Sequence, residues 1–139
     1  GKALDVGCGA GGRFVNILQN HGFSVTGLDA SKEMVKLASN NHPEQFFLHQ
    51  DICSWDTEEK FDFIVAWDSI FHLPLVMQKP VVAKLCQFLV KGGVLIYTFG
   101  NRKSKEYYKN GSGNKGPISF SEMGGEPSLR GVWVFSAKT

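Results

Sequence analysis

The chain of 139 residues is long enough for one domain with one hydrophobic core, and its 42% apolar and 20% charged residues are ordinary for a globular domain. A formal net charge of +2 is too small to indicate a nucleic-acid-binding surface by itself, and no apolar run reaches the ~18 residues of a membrane span. We therefore expect a single domain over residues 1–139, with neither nucleic acid nor a membrane as its partner.

The three cysteines, Cys8, Cys53 and Cys86, are far apart and form no CxxC pair. This pattern supports neither a zinc site nor a disulfide framework, so we expect no bound metal and a reducing, cytoplasmic location. Cys8 precedes a predicted helix, whose N-terminus would lower the pKa of the thiol and make it reactive. The alternative, a small residue in a tight loop, is the favoured interpretation.

Hydrophobic periodicity switches between strand and helix along the first half of the chain. The predicted elements, in order, are a strand at Lys2–Val6, a helix at Phe14–His21, a strand at Ser24–Leu28, a helix at Ser31–Asn41 and a strand at Gln45–His49. Gly22 is a typical residue after a helix, Ser31 is a good N-cap, and Pro43 ends the second helix.

The alternation continues in the second half, where Gly92-Gly93 is expected to break the last helix. The predicted elements are a strand at Phe61–Trp67, a helical turn at Ser69–Leu73, a helix at Leu75–Val90, a strand at Val94–Phe99 and a strand at Gly131–Ala137. Residues 101–130 are polar, basic and glycine-rich, which predicts an irregular, mobile segment. The pattern indicates an α/β fold with a Rossmann-like, doubly wound, mostly parallel sheet and helices on both faces.

A glycine-rich turn, Leu4–Gly12, joins the first strand to the first helix. In open α/β sheets ligands bind beyond the carboxyl ends of the strands, and glycines allow the backbone to approach them closely. The helix N-terminus behind the glycines is expected to present free N–H groups to an anionic end of the ligand. Gly7-x-Gly9-x-x-Gly12 also satisfies the dinucleotide fingerprint, which keeps an NAD(P)-dependent oxidoreductase open.

Three acidic residues, Asp5, Asp29 and Asp51, lie near the ends of predicted strands, and Asp5 and Asp51 favour S-adenosylmethionine over NAD. Asp5 would repel a pyrophosphate but suits a ligand that carries an ammonium and a sulfonium. Asp29 can accept from both ribose hydroxyls of either cofactor. Asp51 can accept from the adenine amino group, although it could also merely cap the turn before Trp55.

Five motifs together resemble those of class I S-adenosylmethionine-dependent methyltransferases, in the right order and spacing over residues 1–100. They are Asp5-x-Gly7-x-Gly9-x-Gly11, Gly27-Leu28-Asp29-Ala30-Ser31, Gln50-Asp51-Ile52, Phe61-Asp62-Phe63-Ile64-Val65 and Leu89-Val90-Lys91-Gly92-Gly93-Val94-Leu95. The resemblance implies methyl transfer from S-adenosylmethionine to a small molecule. The alternatives are a cofactor-binding module without catalysis and the oxidoreductase above.

The resemblance also implies which residues bind the cofactor. Asp29 is expected at the ribose, Asp51 at the adenine and Gly7 at the methionine part. Met34 and Ile52 would flank the adenine, although Met34 could equally pack its own helix, and Trp67 and Asp68 would lie beside the methionine part. The full expected set is Asp5, Gly7, Cys8, Gly9, Asp29, Ala30, Met34, Asp51, Ile52, Trp67 and Asp68.

Candidate catalytic residues follow the fourth predicted strand. Asp68 and His72 are one helical turn apart, and a histidine has a suitable pKa for a general base, but a structural His72 is the favoured interpretation. Arg13, in the first turn of a helix, is unfavourable for the helix dipole; it either pairs with a carboxylate or, as we favour, is simply solvated. The Asn/Asp-Pro-Pro-Tyr/Phe motif of many amino-directed methyltransferases is absent, which argues against nucleobase amines as acceptors.

The resemblance weakens at the two ends of the chain. Methyltransferases of this class usually have a helix before the first strand, and a helix and a sixth strand before an antiparallel seventh. Gly131–Ala137 resembles that seventh strand, but Ser119–Leu129 is too short for a helix plus a strand. We therefore expect a shortened C-terminal part, as in a fragment or a deletion variant. A truncated sheet would expose an edge and apolar surface, which predicts either a homodimer or poor stability.

Overall fold

The computed structural model describes residues 1–67, 69–98 and 132–137. The strands in chain order are β1 (Lys2–Val6), β2 (Ser24–Asp29), β3 (Phe46–His49), β4 (Phe61–Ala66), β5 (Leu89–Thr98) and β6 (Val132–Ser136). The helices are α1 (Phe14–Asn20), α2 (Lys32–Asn41) and α3 (Leu75–Gln87), with a 3-10 turn at Ile70–His72. The predictions for Asp68 and for residues 101–130 lie outside the described residues.

The six strands form one sheet in the order β3-β2-β1-β4-β5-β6. Every neighbouring pair is parallel except the last, in which β6 runs antiparallel to β5 with Leu95 opposite Phe135. This topology confirms the predicted doubly wound, mostly parallel sheet. Within the described ranges, no helix is long and apolar enough to cross a membrane.

Helices cover both faces of the sheet, because side chains alternate between the faces along each strand. In β1, Leu4 and Val6 join the larger apolar cluster, whereas Ala3 joins the smaller one and Asp5 points to that same second face. The larger cluster includes α3, with Val81, Val82 and Leu85, and the smaller includes α1, with Val15 and Leu18. Burial of each large aliphatic side chain contributes about 1.5–3 kcal/mol.

The boundary between α3 and β5 differs from the prediction of a helix to Val90 and a strand from Val94. The helix ends at Gln87, because Phe61 N–H donates to the Phe88 carbonyl over 2.7 Å and draws the chain into the sheet. Pairing with β4 begins at Leu89 and resumes at Val94 after an irregularity. Gly92, at φ +82°, lies in this irregularity, and its N–H donates to Ala137 O over 2.8 Å. The glycine pair therefore bends a strand and does not separate a helix from one.

Candidate functional site

Two cavities lie at the carboxyl ends of β1, β2 and β4, where the direction of the strand order reverses. We name them by an acidic residue that lines each. The Asp5 cavity, of about 160 Å³, is lined by Asp5, Gly7, Cys8, Arg13, Phe14 and Trp67. The Asp51 cavity, of about 270 Å³, is lined by Val6, Gly7, Leu28, Asp29, Ala30, Gln50, Asp51, Ile52, Ser69, His72 and Leu73. Gly7 lines both cavities, so the glycine loop separates them.

Backbone N–H groups of the glycine loop donate to β2. Gly7 and Gly9 have φ values of +73° and +57°, which favour glycine. The N–H groups of Gly7 and Cys8 both donate to the Leu28 carbonyl over 2.8 and 2.9 Å, and Gly9 N–H donates to Asp29 Oδ2 over 2.8 Å. These three N–H groups are therefore already used within the protein. The expected free N–H groups belong to the start of the helix behind the loop, which begins at Phe14, and stay a prediction.

Close contacts explain why two positions near the loop carry no side chain. A Cβ atom on Gly7 would lie 2.5 Å from Ser69 Cβ, so the loop touches the segment that follows β4. A Cβ atom on Gly27, in β2, would lie 2.9 Å from Cys8 Sγ and 2.7 Å from the Phe47 ring. These distances are too short for non-bonded heavy atoms, so glycine is required at both positions if the loop is to contact β2 and the segment after β4.

Asp5 is almost entirely buried, with 4% of its surface exposed, and it lines the first cavity. Burial, and secondarily the negative charge of Asp29, raises the pKa of Asp5 to about 7. Burial, followed by the charges of Asp5 and Asp29, likewise raises the pKa of Cys8 to about 12. Burial, followed by the two nearby carboxyl groups, therefore argues against a reactive Cys8 thiolate, in agreement with the favoured interpretation of a small residue in a tight loop.

Arg13 supplies a positive charge to the Asp5 cavity, which it lines together with Asp5. Its guanidinium carbon lies 5.9 Å from the centroid of the Trp67 ring, and Trp67 in turn contacts Phe14 at 5.4 Å between ring centroids. Among the residues that the structure describes, Arg13 forms no ion pair with a carboxylate. The cavity thus presents a buried carboxyl group and a stacked guanidinium to the same space.

The carboxylate of Asp29 connects the glycine loop to the start of α2. Its Oδ2 accepts from Gly9 N–H, and its Oδ1 accepts from Ser31 N–H, each over 2.8 Å. Ser31 is the N-cap of α2, as expected, and its Oγ accepts from Met34 N–H over 3.3 Å. Each Asp29 oxygen retains a lone pair that can face the Asp51 cavity, which Asp29 also lines.

Of the two interpretations that the sequence left open for Asp51, the structure confirms the cap of the turn, and adenine binding stays a prediction. Its Oδ1 accepts from Cys53 N–H over 2.9 Å, and its carbonyl accepts from Trp55 N–H over 2.8 Å, so it does cap the turn before Trp55. It is nevertheless exposed and lines the second cavity beside Ile52. Capping therefore leaves the second carboxylate oxygen of Asp51 available to a ligand.

The structure brings together most of the expected residues but divides them between the cavities. Trp67 lines the Asp5 cavity, whereas Ala30 and His72 line the Asp51 cavity. Gly9 and Met34 line neither, and Asp68 lies outside the described residues. The roles of all these residues in binding and catalysis remain predictions.

Several residues that line the cavities were not among the expected ones. They are Val6, Arg13, Phe14, Leu28, Gln50, Ser69 and Leu73. Val6, Leu28 and Gln50 stand next to predicted ligands at strand ends, a signal that could have identified them. Ser69 likewise stands next to Asp68, and its buried Oγ has no hydrogen-bond partner among the described residues.

Comparison with known proteins agrees with this geometry. The methyltransferase-domain family matches residues 3–93. The chain is 36% identical over 111 residues to a ubiquinone biosynthesis O-methyltransferase of Coxiella burnetii, a match that covers 75% of this chain and 45% of that protein. It is also 31% identical over 98 residues to an uncharacterized methyltransferase of Bacillus cereus, covering 70% of this chain and 46% of that protein. The chain thus spans a little under half the length of the curated relatives that it matches.

Two solved structures show the same fold. An amino pentose methyltransferase of Micromonospora echinaspora, solved with bound S-adenosylmethionine, is 27% identical, has a TM-score of 0.64, and covers 70% of this chain with 42% of its own length. A TehB-like S-adenosylmethionine-dependent methyltransferase of Corynebacterium glutamicum is 28% identical, with a TM-score of 0.64 over 73% of this chain and 56% of its own. The chain belongs to the class I S-adenosylmethionine-dependent methyltransferase family, as the order of its motifs predicted.

Proposed function

We propose that this domain binds S-adenosylmethionine across the two cavities and transfers its methyl group to a small molecule. The observation that carries the proposal is the different set of charged groups in the two cavities that share Gly7. One cavity is lined by an acidic and a basic residue, Asp5 and Arg13, and the other is lined by two acidic residues, Asp29 and Asp51. This arrangement fits a ligand with an amino-acid end and a nucleoside end.

The Asp5 cavity suits the amino-acid end. A ligand ammonium would stabilise the ionised form of Asp5, whose burial otherwise favours the neutral form. The Arg13 guanidinium can donate two parallel hydrogen bonds to a carboxylate, and its stacking on Trp67 reduces the side-chain freedom lost on binding. Arg13 thereby acquires the carboxylate partner that the sequence had left as the less favoured alternative.

The Asp51 cavity suits the adenosine end. We assign Asp29 to the ribose hydroxyls. Two backbone N–H groups fix the position of its carboxylate, and each carboxylate oxygen keeps a lone pair that can accept from a hydroxyl. We assign Asp51 to the adenine amino group and Ile52 to one face of the ring. His72 lines this cavity as well, and we assign it a position beside the nucleoside end of the ligand.

When bound, S-adenosylmethionine supplies a methyl group activated by its positive sulfur, and transfer is an in-line displacement. The residues of this chain orient the cofactor on both sides of Gly7 and exclude water from it. A general base is needed only for an acceptor that keeps its proton. His72 and Asp68 stay candidates for that role.

The remaining features of the proposal are a single domain over residues 1–139, a homodimer and a cytoplasmic location without nucleic-acid partners. The cytoplasm is supported by Cys8, Cys53 and Cys86, which are all unpaired. Light scattering tests the dimer, because a monomeric mass at micromolar concentration would contradict it.

Neither alternative function is favoured. An NAD(P)-dependent oxidoreductase would place a pyrophosphate beside Asp5, at a loop whose first three N–H groups already donate to β2. A binding module without catalysis is distinguished by incubating the protein with methyl-labelled S-adenosylmethionine and a metabolite extract. We expect a labelled small-molecule product; binding without any product would contradict the transfer step.

A second experiment tests the amino-acid end. Arg13→Met removes the charge but keeps an apolar side chain against Trp67, so we expect weaker binding of S-adenosylhomocysteine and unchanged binding of 5′-methylthioadenosine, which lacks the amino acid. Lys36→Met, at an exposed position on α2, is the matched control. Equal losses for both ligands in Arg13→Met would contradict the assignment of Arg13 to the carboxylate.

A further inference from the structure

The carboxyl end of α2 and its C-cap residue, His42, contact the glycine loop at Ala10 and Gly11. His42 is buried, with 7% of its surface exposed, and its Nε2 lies 2.8 Å from the Gly11 carbonyl oxygen. The neighbouring Asn41 Nδ2 donates to the Ala10 carbonyl over 3.2 Å. These two contacts join residues that are 31 positions apart in sequence.

The hydrogen bond determines which nitrogen of His42 carries the proton. A carbonyl oxygen only accepts, so Nε2 must be the protonated nitrogen. The ring is held by its surroundings: its centroid lies 6.3 Å from that of Phe47, and the two planes are tilted by 42°. A Cβ atom on Gly11 would lie 3.0 Å from His42 Cδ2, so the loop rests directly on the ring.

The loop is therefore anchored through both kinds of backbone group. Its N–H groups at Gly7, Cys8 and Gly9 donate to β2 and Asp29, whereas its carbonyls at residues 10 and 11 accept from the end of α2. Gly11 N–H also donates to the Cys8 carbonyl over 3.0 Å, which closes the turn. Glycines reach many backbone conformations, so such a loop keeps a single shape only when anchors impose it.

We propose that His42, assisted by Asn41, is a positioning residue that holds the glycine loop in its ligand-binding conformation. The inference rests on the proposed function, since the ligand concerned is S-adenosylmethionine. His42 lines neither cavity and acts through the loop, whose Gly7 lines both. A loop that adopts the competent shape only part of the time binds with an affinity reduced by that fraction.

The test compares two substitutions of His42. His42→Gln keeps a donor nitrogen at nearly the same reach, whereas His42→Leu keeps the volume and removes the donor. By calorimetry with S-adenosylhomocysteine, below the unfolding temperature of every variant, we expect His42→Leu to weaken binding by about fivefold or more and His42→Gln to restore it to within about twofold. His21→Leu is the control, because His21 Nδ1 makes the same kind of bond to Ile17 O, 2.8 Å long, at the end of α1.

A purely structural role would move only the unfolding temperature. His42→Leu with a lowered unfolding temperature and wild-type affinity would therefore overturn the inference, as would a failure of His42→Gln to rescue. If His42→Leu does not fold, Asn41→Ala is tested in its place, because Asn41 is exposed. We expect Asn41→Ala to bind S-adenosylhomocysteine about twofold more weakly, and an unchanged affinity would count against the proposal.

Amide hydrogen exchange separates this inference from the proposed function. If the wild-type protein does not bind S-adenosylhomocysteine, the proposed function fails, but the anchoring can still be measured. We then expect faster exchange at Gly7, Cys8 and Gly9 in His42→Leu than in His42→Gln. Equal exchange in the two variants would refute the anchoring itself.

Discussion

Asp5 gives the most quantitative prediction, because its buried carboxyl group has a pKa raised from 3.8 to about 7. A raised pKa means that folding favours the neutral form, so the associated stability is complete below about pH 4 and is lost as the pH rises toward about 7. From these two pKa values, ionisation of Asp5 lowers the free energy of unfolding by about 2 kcal/mol at about pH 5 and by about 4 kcal/mol at about pH 8. Asp5→Asn, which cannot ionise, removes that cost.

Urea unfolding of the wild type and of Asp5→Asn at both pH values measures this difference. We expect the free energy of unfolding of the variant, relative to that of the wild type, to be about 2–3 kcal/mol higher at about pH 8 than at about pH 5. The contributions of the other titrating groups cancel in this difference. Asp56→Asn, at an exposed site, is the control and should show no such change. Parallel pH profiles for the wild type and Asp5→Asn would refute the raised pKa.

The same ionisation acts in the opposite direction on ligand binding. A ligand ammonium requires the charged carboxylate, so the affinity of the wild type for S-adenosylhomocysteine should rise up to about pH 7 and then level off. Binding to Asp5→Asn should be weaker and should lack this rise. A variant that binds as tightly as the wild type at about pH 8 would contradict the role of Asp5 at the ammonium.

Three further substitutions test separate parts of the account. Asp29→Ala should weaken S-adenosylhomocysteine binding by ~1–3 kcal/mol in calorimetry, the usual cost of an unpaired polar group, and an unchanged affinity would refute the ribose assignment. Gly7→Ala should lower the free energy of unfolding by at least about 1–2 kcal/mol, because of its φ of +73° and the contact with Ser69; a neutral effect in urea unfolding would count against the loop geometry. Leu4→Ala, in the core, should cost about 2–5 kcal/mol of stability, and a loss below about 1 kcal/mol would argue that β1 is not central.

Much of the fold was predictable because strand and helix periods leave a direct trace in the sequence. β1 has the predicted limits, and β2, β3 and β4 differ from the prediction by one residue at one end. The failure at the end of α3 has a different origin. Leu85, Phe88 and Leu89 continue a helical spacing, but the helix ends where the Phe88 carbonyl accepts a long-range bond from Phe61 N–H.

The candidate site was predictable where topology alone places a residue. Acids that follow parallel strands must meet at one edge of the sheet, which is why Asp29 and Asp51 were expected to lie together. Contacts between distant side chains and backbone were not predictable. Two examples are the contact of Gly11 with His42 and the stacking of Arg13 on Trp67. Each depends on packing between elements that are distant in sequence.

The central claim is that the two cavities hold S-adenosylmethionine, and calorimetry of the wild-type protein with S-adenosylhomocysteine and with NADH tests it most directly. We predict saturable binding of S-adenosylhomocysteine, tighter above about pH 7 than below it, and no binding of NADH. Tight binding of NADH without binding of S-adenosylhomocysteine would contradict the account.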